Sequence, residues 1–302
     1  MAFNWQTFRI RTISSLIFVA VMLTGLLWNQ WSFLVLFSVI HFGCWWEFLK
    51  LTEKMHNTIF HPYTRLGLMV MGYGLMLWFC GPPYHINGYG IKANISLPVS
   101  AAGFALLVIG IFQKDTIKLK AIGLAIIGFL YISLTLGMMI GIYGFALDAL
   151  NSYAGFDEDQ YPLFYRPWLF PLAIIVALWI NDTMAYLVGS MIGRTPMTKI
   201  SPKKTWEGTI GGIVLSTGLG FLIPFVFNIP GIDPGTGLVI ALAAALTGTL
   251  GDLFESKLKR MAGVKDSGSI MPGHGGFLDR FDSLLFAIPV CWVFLYPCAF
   301  QC

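Results

Sequence analysis

Apolar residues in this chain come in long, nearly unbroken runs, without the strict alternation of a strand or the one-sided stripe of a water-soluble helix. Nine runs come close to the ~20 residues that a helix needs to cross a bilayer. They cover 13–28, 31–51, 65–81, 95–113, 121–146, 167–189, 208–228, 236–255 and 281–300. The pattern predicts an all-α, polytopic membrane protein with about nine transmembrane helices. Arg9 and Arg11 precede the first run, as in a signal peptide. A small-residue cleavage site is missing, however, and Trp28-Asn29-Gln30-Trp31 reads as a tight turn, so an uncleaved helix is expected.

Composition supports the membrane reading. Of the 302 residues 56% are hydrophobic and 11% charged, with a mean hydropathy of +0.72, far from a soluble domain. Nine spans place all but Lys92 and Arg166 of the 19 Lys and Arg residues on one side. That side is expected to be cytoplasmic, and it includes the N-terminus and both conspicuous polar stretches, 190–207 and 256–280. Residues 1–120 read as N-terminal transmembrane helices and 121–302 as a transmembrane catalytic region with cytoplasmic loops, together one membrane-embedded unit. The five cysteines show no metal-ligand spacing, and free thiols in apolar segments are expected. Gly208, Gly212, Ser216 and Gly220 form a small-residue stripe suited to close helix packing. Pro224 continues it and is a candidate kink.

The chemistry-bearing residues lie in the second half. Asp182 sits inside the sixth run and Asp252 near the end of the eighth, where an ionisable side chain is costly enough to suggest function. On a helix Asp252, Glu255, Ser256 and Lys259 share one face. Asp279 and Asp282 repeat the three-residue spacing at the start of the last run. Asp252, Asp266, Asp279 and Asp282 are hard oxygen donors that suit Mg²⁺ better than zinc or copper; the competing reading is a set of salt bridges to Lys259, Lys265 and Arg280. Lys259, Arg260, Lys265 and Arg280, with Ser256 and Ser201, are candidate phosphate contacts. Lys203, Lys204 and Thr205, in the loop Gly193–Gly208, would hold either a triphosphate or an anionic headgroup. Pro272-Gly273-His274-Gly275-Gly276 offers exposed amides, and His274 is either a phosphate donor or a turn residue. No P-loop and no GxGxxG occurs.

Taken together these motifs resemble the CDP-diacylglycerol synthases, or phosphatidate cytidylyltransferases. The family signature is met by Ser256-Lys257-Leu258-Lys259-Arg260, Lys265-Asp266, His274-Gly275-Gly276 and Asp279-Arg280-Phe281-Asp282, with Met271 as a mild departure. Ile200–Gly208 and Asp182 with Ala185-Tyr186 and Gly189 also look like the family. The likeness is strong over 180–285 and generic before it. It implies transfer of CMP from CTP to phosphatidic acid, Mg²⁺ dependence with a second cation possible, a homodimer working on membrane lipid, and a place in a bacterial inner membrane. It gives no reason to expect nucleic acid as a partner. A CTP-dependent lipid-alcohol kinase is the nearest alternative, and a transporter a more distant one.

Overall fold

Each of the nine apolar runs folds as helix in a computed structural model, which describes residues 5–113, 118–152, 166–229, 232–268 and 275–300. The helices are α1 (Trp5–Leu27), α2 (Gln30–His56), α3 (Pro62–Leu77), α4 (Ile91–Asn94), α5 (Ser96–Phe112), α6 (Leu119–Gly128), α7 (Thr135–Ser152), α8 (Leu169–Ile192), α9 (Trp206–Phe227), α10 (Pro234–Met261) and α11 (Leu278–Phe300). Six helical segments among the described residues are long and apolar enough to cross a membrane, beginning at Gln30, Ile91, Leu119, Leu169, Trp206 and Pro234. The expected turn at Trp28–Trp31 is a capping box. Asn29 Oδ1 accepts from the amides of Trp31 and Ser32 at 2.9 and 2.8 Å, and Ser32 Oγ accepts from Asn29 N–H at 3.0 Å, satisfying donors that a helix start leaves open.

Two features depart from uniform spans. The fifth run is not one regular helix: Phe129–Leu134, between α6 and α7, is a π-helical turn. Its Ser133 Oγ accepts from Trp45 Nε1 at 2.8 Å and lies 3.0 Å from His41 Nε2, so polar groups of a buried stretch satisfy one another. A small hairpin, β1 (His85–Ile86) and β2 (Tyr89–Gly90), closes through Asn87 and Gly88, both at positive φ. That is the Asn-Gly signature of a tight hairpin turn.

The chain forms two compact units. The first comprises Met1–Phe79, Tyr84–Ile140 and Leu258–Phe281; the second comprises Cys80–Pro83, Gly141–Lys257 and Asp282–Cys302. In the first, Phe33, Phe37, Trp45 and Phe48 of α2 are buried, and α3 meets α5 backbone to backbone. A Cβ on Gly103 would stand 2.2 Å from Met71 N. In the second unit the small-residue stripe packs as expected: a Cβ on Gly208 or Gly212 would collide with α8 at Ala185 O or Ala185 Cβ, and one on Gly220 with Ala241 and Gly237 of α10. Pro224 lies inside α9, which continues through it. Cys44, Cys80 and Cys291 are buried free thiols.

Candidate active site

The sequence motifs fall into two polar clusters, one in each unit. In the second unit the loop between α8 and α9 folds on itself. Pro196 pairs with Thr205, Met197 N–H donates to Lys204 O at 2.8 Å, and Trp206 N–H donates to Thr195 O at 3.0 Å. Glu207 in the first turn of α9 accepts from the amides of Arg194 and Thr195, each at 3.2 Å. Thr205 is the N-cap of α9, its Oγ1 accepting from Gly208 N–H at 3.1 Å. An accepting hydroxyl still has its own proton to donate, so the cap does not consume Thr205.

This fold-back delivers Lys204 to α10, where its ammonium pairs with Asp252. Both side chains keep more than a quarter of their surface, 27% and 29%. Ser256, one turn along α10, donates to Asp252 Oδ1 at 3.3 Å. Asp182 of α8 lies within electrostatic reach of both Lys204 and Asp252. Lys203 points outward and is exposed, while Ser201 is half-buried, its amide donating to Thr198 Oγ1 at 3.1 Å. Asp282, at the start of the second unit's last segment, is buried, and its Oδ1 accepts from Ser283 N–H at 2.6 Å.

The first unit holds the other cluster, built on the end of α10, the first turn of α11 and the loop that joins them. Lys259 Nζ donates to Asp279 Oδ1 at 2.6 Å. Asp279 Oδ2 accepts from Gly276 N–H at 2.8 Å, Ser267 N–H at 3.0 Å and Ser267 Oγ at 2.9 Å. Gly275 reaches a left-handed φ of 82°, and a Cβ there would stand 2.6 Å from Asp279 Oδ2, so the turn needs glycine. Asp279 precedes the apolar run of α11. Burial disfavours its charge, but the amide of Gly276 and the Lys259 ammonium prevail and hold the carboxyl down at about 2.

Other candidates stand further out. Arg260 is exposed and donates through one guanidinium nitrogen to Val264 O at 3.1 Å, which closes the end of α10. Lys265, Asp266 and Arg280 are exposed. His274 lies outside the described residues.

The structure adds one residue that the motifs did not mark. Glu47 of α2 is 1% exposed and binds the loop beside Asp279. A carboxylate within an apolar run was itself a signal.

Hard carboxylate oxygens fit Mg²⁺, which takes one or two carboxylates and completes its shell with substrate phosphate and water. Among the described residues no group of three or more His, Cys, Asp or Glu side chains could hold a metal ion. Asp252 and Asp279 nevertheless each hold a cation already, the ammonium of Lys204 and of Lys259. The donor set therefore suits a cation shared with substrate better than a closed protein cage.

A membrane-spanning helical protein whose polar helix ends pair acidic and cationic side chains is suited to phosphate chemistry on lipid. The cytidylyltransferase family model matches residues 9–298, and the chain belongs to that family. It is 37% identical over 223 residues, 73% of this chain and 76% of the relative, to a phosphatidate cytidylyltransferase of Bacillus subtilis. A chloroplastic phosphatidate cytidylyltransferase of Arabidopsis thaliana is 33% identical over 67% of this chain and 53% of its own length. One from Synechocystis is 42% identical over 43% of this chain and 46% of its own. The likeness to these two thus spans about half of their length.

Proposed function

We propose that this protein transfers CMP from CTP to phosphatidic acid, giving CDP-diacylglycerol and pyrophosphate. The observation that carries the reading is the pairing of Lys204 with Asp252, which joins two motifs that the sequence could only place far apart. Family membership supports the cytidylyl donor, and the apolar helices support a lipid acceptor.

The acceptor needs little activation. A phosphate monoester has a second pKa near 6, so its oxygen is already anionic at neutral pH when it attacks the α-phosphorus. As the new P–O bond forms, the bond to the bridging oxygen breaks and its electron pair leaves with pyrophosphate. The barrier lies in bringing two anions together and in the charge gathering on the leaving group. Lys204 neutralises one phosphate-bearing substrate, and Thr205, Ser256 and Ser201 contribute hydroxyl donors. Lys203, exposed beside them, serves the same electrostatic purpose. Lys259 and the amide of Gly276 stand beside Asp279, with Arg260, Lys265 and Arg280 around them as further cations. The carboxylates that would offer Mg²⁺ an oxygen are Asp252 and Asp282 in the second unit and, once one of its donors lets go, Asp279 in the first, with Asp266 as an outer partner there. When bound, the ion supplies Lewis-acid polarisation of phosphate oxygens. A second cation, a homodimer, a bacterial inner membrane and a cytoplasmic site belong to the same proposal.

The test is purified protein in detergent with CTP, Mg²⁺ and phosphatidate. Liponucleotide and equimolar pyrophosphate are expected. Release of CDP with phosphorylation of a lipid alcohol would replace this reading by a kinase.

A further inference from the structure

We infer that Glu47 is a positioning residue for the loop that carries Asp279: through Ser267, Phe277 and Leu278 it sets where that carboxylate and the amides beside it stand. What the loop is positioned for rests on the proposed cytidylyl transfer; the positioning itself does not.

Glu47 is a carboxylate on a helix long and apolar enough to cross a membrane, and it is almost wholly buried. Such a group is retained only where donors replace the water it has lost. The donors that the structure gives it all come from one loop. Glu47 Oε1 accepts from Phe277 N–H at 3.0 Å, and Oε2 accepts from Leu278 N–H at 2.9 Å and Ser267 Oγ at 2.6 Å. Phe277 and Leu278 lie at the N-terminus of α11, where helical amides have no partner within the helix. Glu47 therefore acts as a cap supplied by a helix more than two hundred positions away in sequence.

The fit is close on both sides. A Cβ on Gly268 would stand 2.1 Å from Glu47 Oε1, and one on Gly276 would stand 2.1 Å from Oε2. Glycine at these positions makes room for the carboxylate, whatever else it does in the signature.

Ser267 then links Glu47 to the signature aspartate. Its Oγ is within hydrogen-bond distance of Glu47 Oε2 and of Asp279 Oδ2, while its amide donates to Asp279 Oδ2. A hydroxyl has a single proton, so Ser267 serves one carboxylate at a time and its backbone bond holds Asp279 throughout. Gly276 N–H completes the cradle. Glu47 thus holds one of Asp279's donors, Ser267, and the two residues that follow the other, Gly276, so removing it loosens the donors of the aspartate. All of these groups belong to the first compact unit.

The experiment uses the full-length protein with Glu47→Ala, Glu47→Gln and Ser267→Ala, read by amide hydrogen exchange and by steady-state kinetics. In Glu47→Ala the Phe277 and Leu278 amides should exchange at least ~10-fold faster, because their acceptor is gone. kcat should fall about 100-fold, the size expected when a site is misplaced by about an ångström. KM for CTP should stay within roughly threefold, since the loss lies in the transition state. Glu47→Gln keeps shape and one acceptor oxygen and should recover about tenfold of the lost kcat, with Ser267→Ala between the two. Unchanged exchange at Phe277 and Leu278, or kcat in Glu47→Ala within about twofold of wild type, overturns the inference. If Glu47→Ala fails to insert, Glu47→Gln with Ser267→Ala decides by the same two readings. If the wild type makes no liponucleotide, the function fails, while the exchange arm still reports on Glu47.

Discussion

The two polar clusters use similar residues to opposite ends. Around Asp279 each carboxylate oxygen has a protein donor, and a second, fully buried carboxylate, Glu47, ties down the same loop. Around Asp252 the partners among the described residues are the Lys204 ammonium and the Ser256 hydroxyl at 3.3 Å, and more than a quarter of the side-chain surface is open. The first arrangement resembles a frame and the second a grip that exchanges its contents. A carboxylate saturated by fixed donors gains little from a substrate-borne cation until one of those donors lets go. A partly open aspartate–lysine pair can release the lysine to phosphate and keep the aspartate for metal. Ion pairs of that exposure contribute only ~0–1 kcal/mol to stability, so Lys204 and Asp252 are not explained by stability.

The comparison can be broken at its open side first. Asp252→Asn should lower kcat about 100-fold or more while expression and thermal unfolding stay near wild type; an active variant would remove Asp252 from the chemistry. Lys204→Met should cost about tenfold or more in kcat/KM, again with little change in melting temperature, and steady-state kinetics against each substrate will show which phosphate it meets. The framed side should behave the other way. Gly276→Ala places a methyl group against the Glu47 carboxylate and should destabilise the protein by about 1–3 kcal/mol, the usual cost of overpacking, read as a lower melting temperature in detergent.

Acid sharpens the same contrast. Asp279 has a folded-state value near 2 against an ordinary 3.8. A depressed carboxyl stabilises the fold above its unfolded value and loses that contribution as pH falls toward the folded one. The melting temperature of the wild type should therefore drop between pH 3.8 and about 2, and Asp279→Asn should flatten that part of the profile. The smallest effect is expected at Thr205, which caps α9. Thr205→Ala should cost ~1 kcal/mol of stability, and Thr205→Ser should restore it.

Span positions were legible because the bilayer demands long apolar runs, and each run contains a helix. Helix ends were less so. α10 continues to Met261 and α2 to His56, past the apolar residues, because apolarity marks what lipid covers while hydrogen bonding carries the helix on into polar surroundings. The π turn at Phe129–Leu134 left no mark in composition. It shows only in the folded backbone, where Ser133 meets His41 and Trp45. Asp252, Lys204, Lys259 and Asp279 stood out in the sequence as candidates; the Lys259–Asp279 pair is one that the competing salt-bridge reading allowed, whereas the Lys204–Asp252 pair was not legible. Glu47 did not stand out, since two of its three donors are backbone amides, which no side-chain motif records, and the third is Ser267, far away in sequence. The rule that drew attention to Asp182 applies equally to Glu47.

The central claim is that the cytidylyl group moves to a lipid phosphate. The most direct measurement supplies purified protein with phosphatidate, Mg²⁺ and CTP labelled in separate reactions at the α- or the γ-phosphate. The account predicts α-label in the lipid and γ-label in pyrophosphate. Label from the γ-phosphate in the lipid, with CDP released, would contradict it.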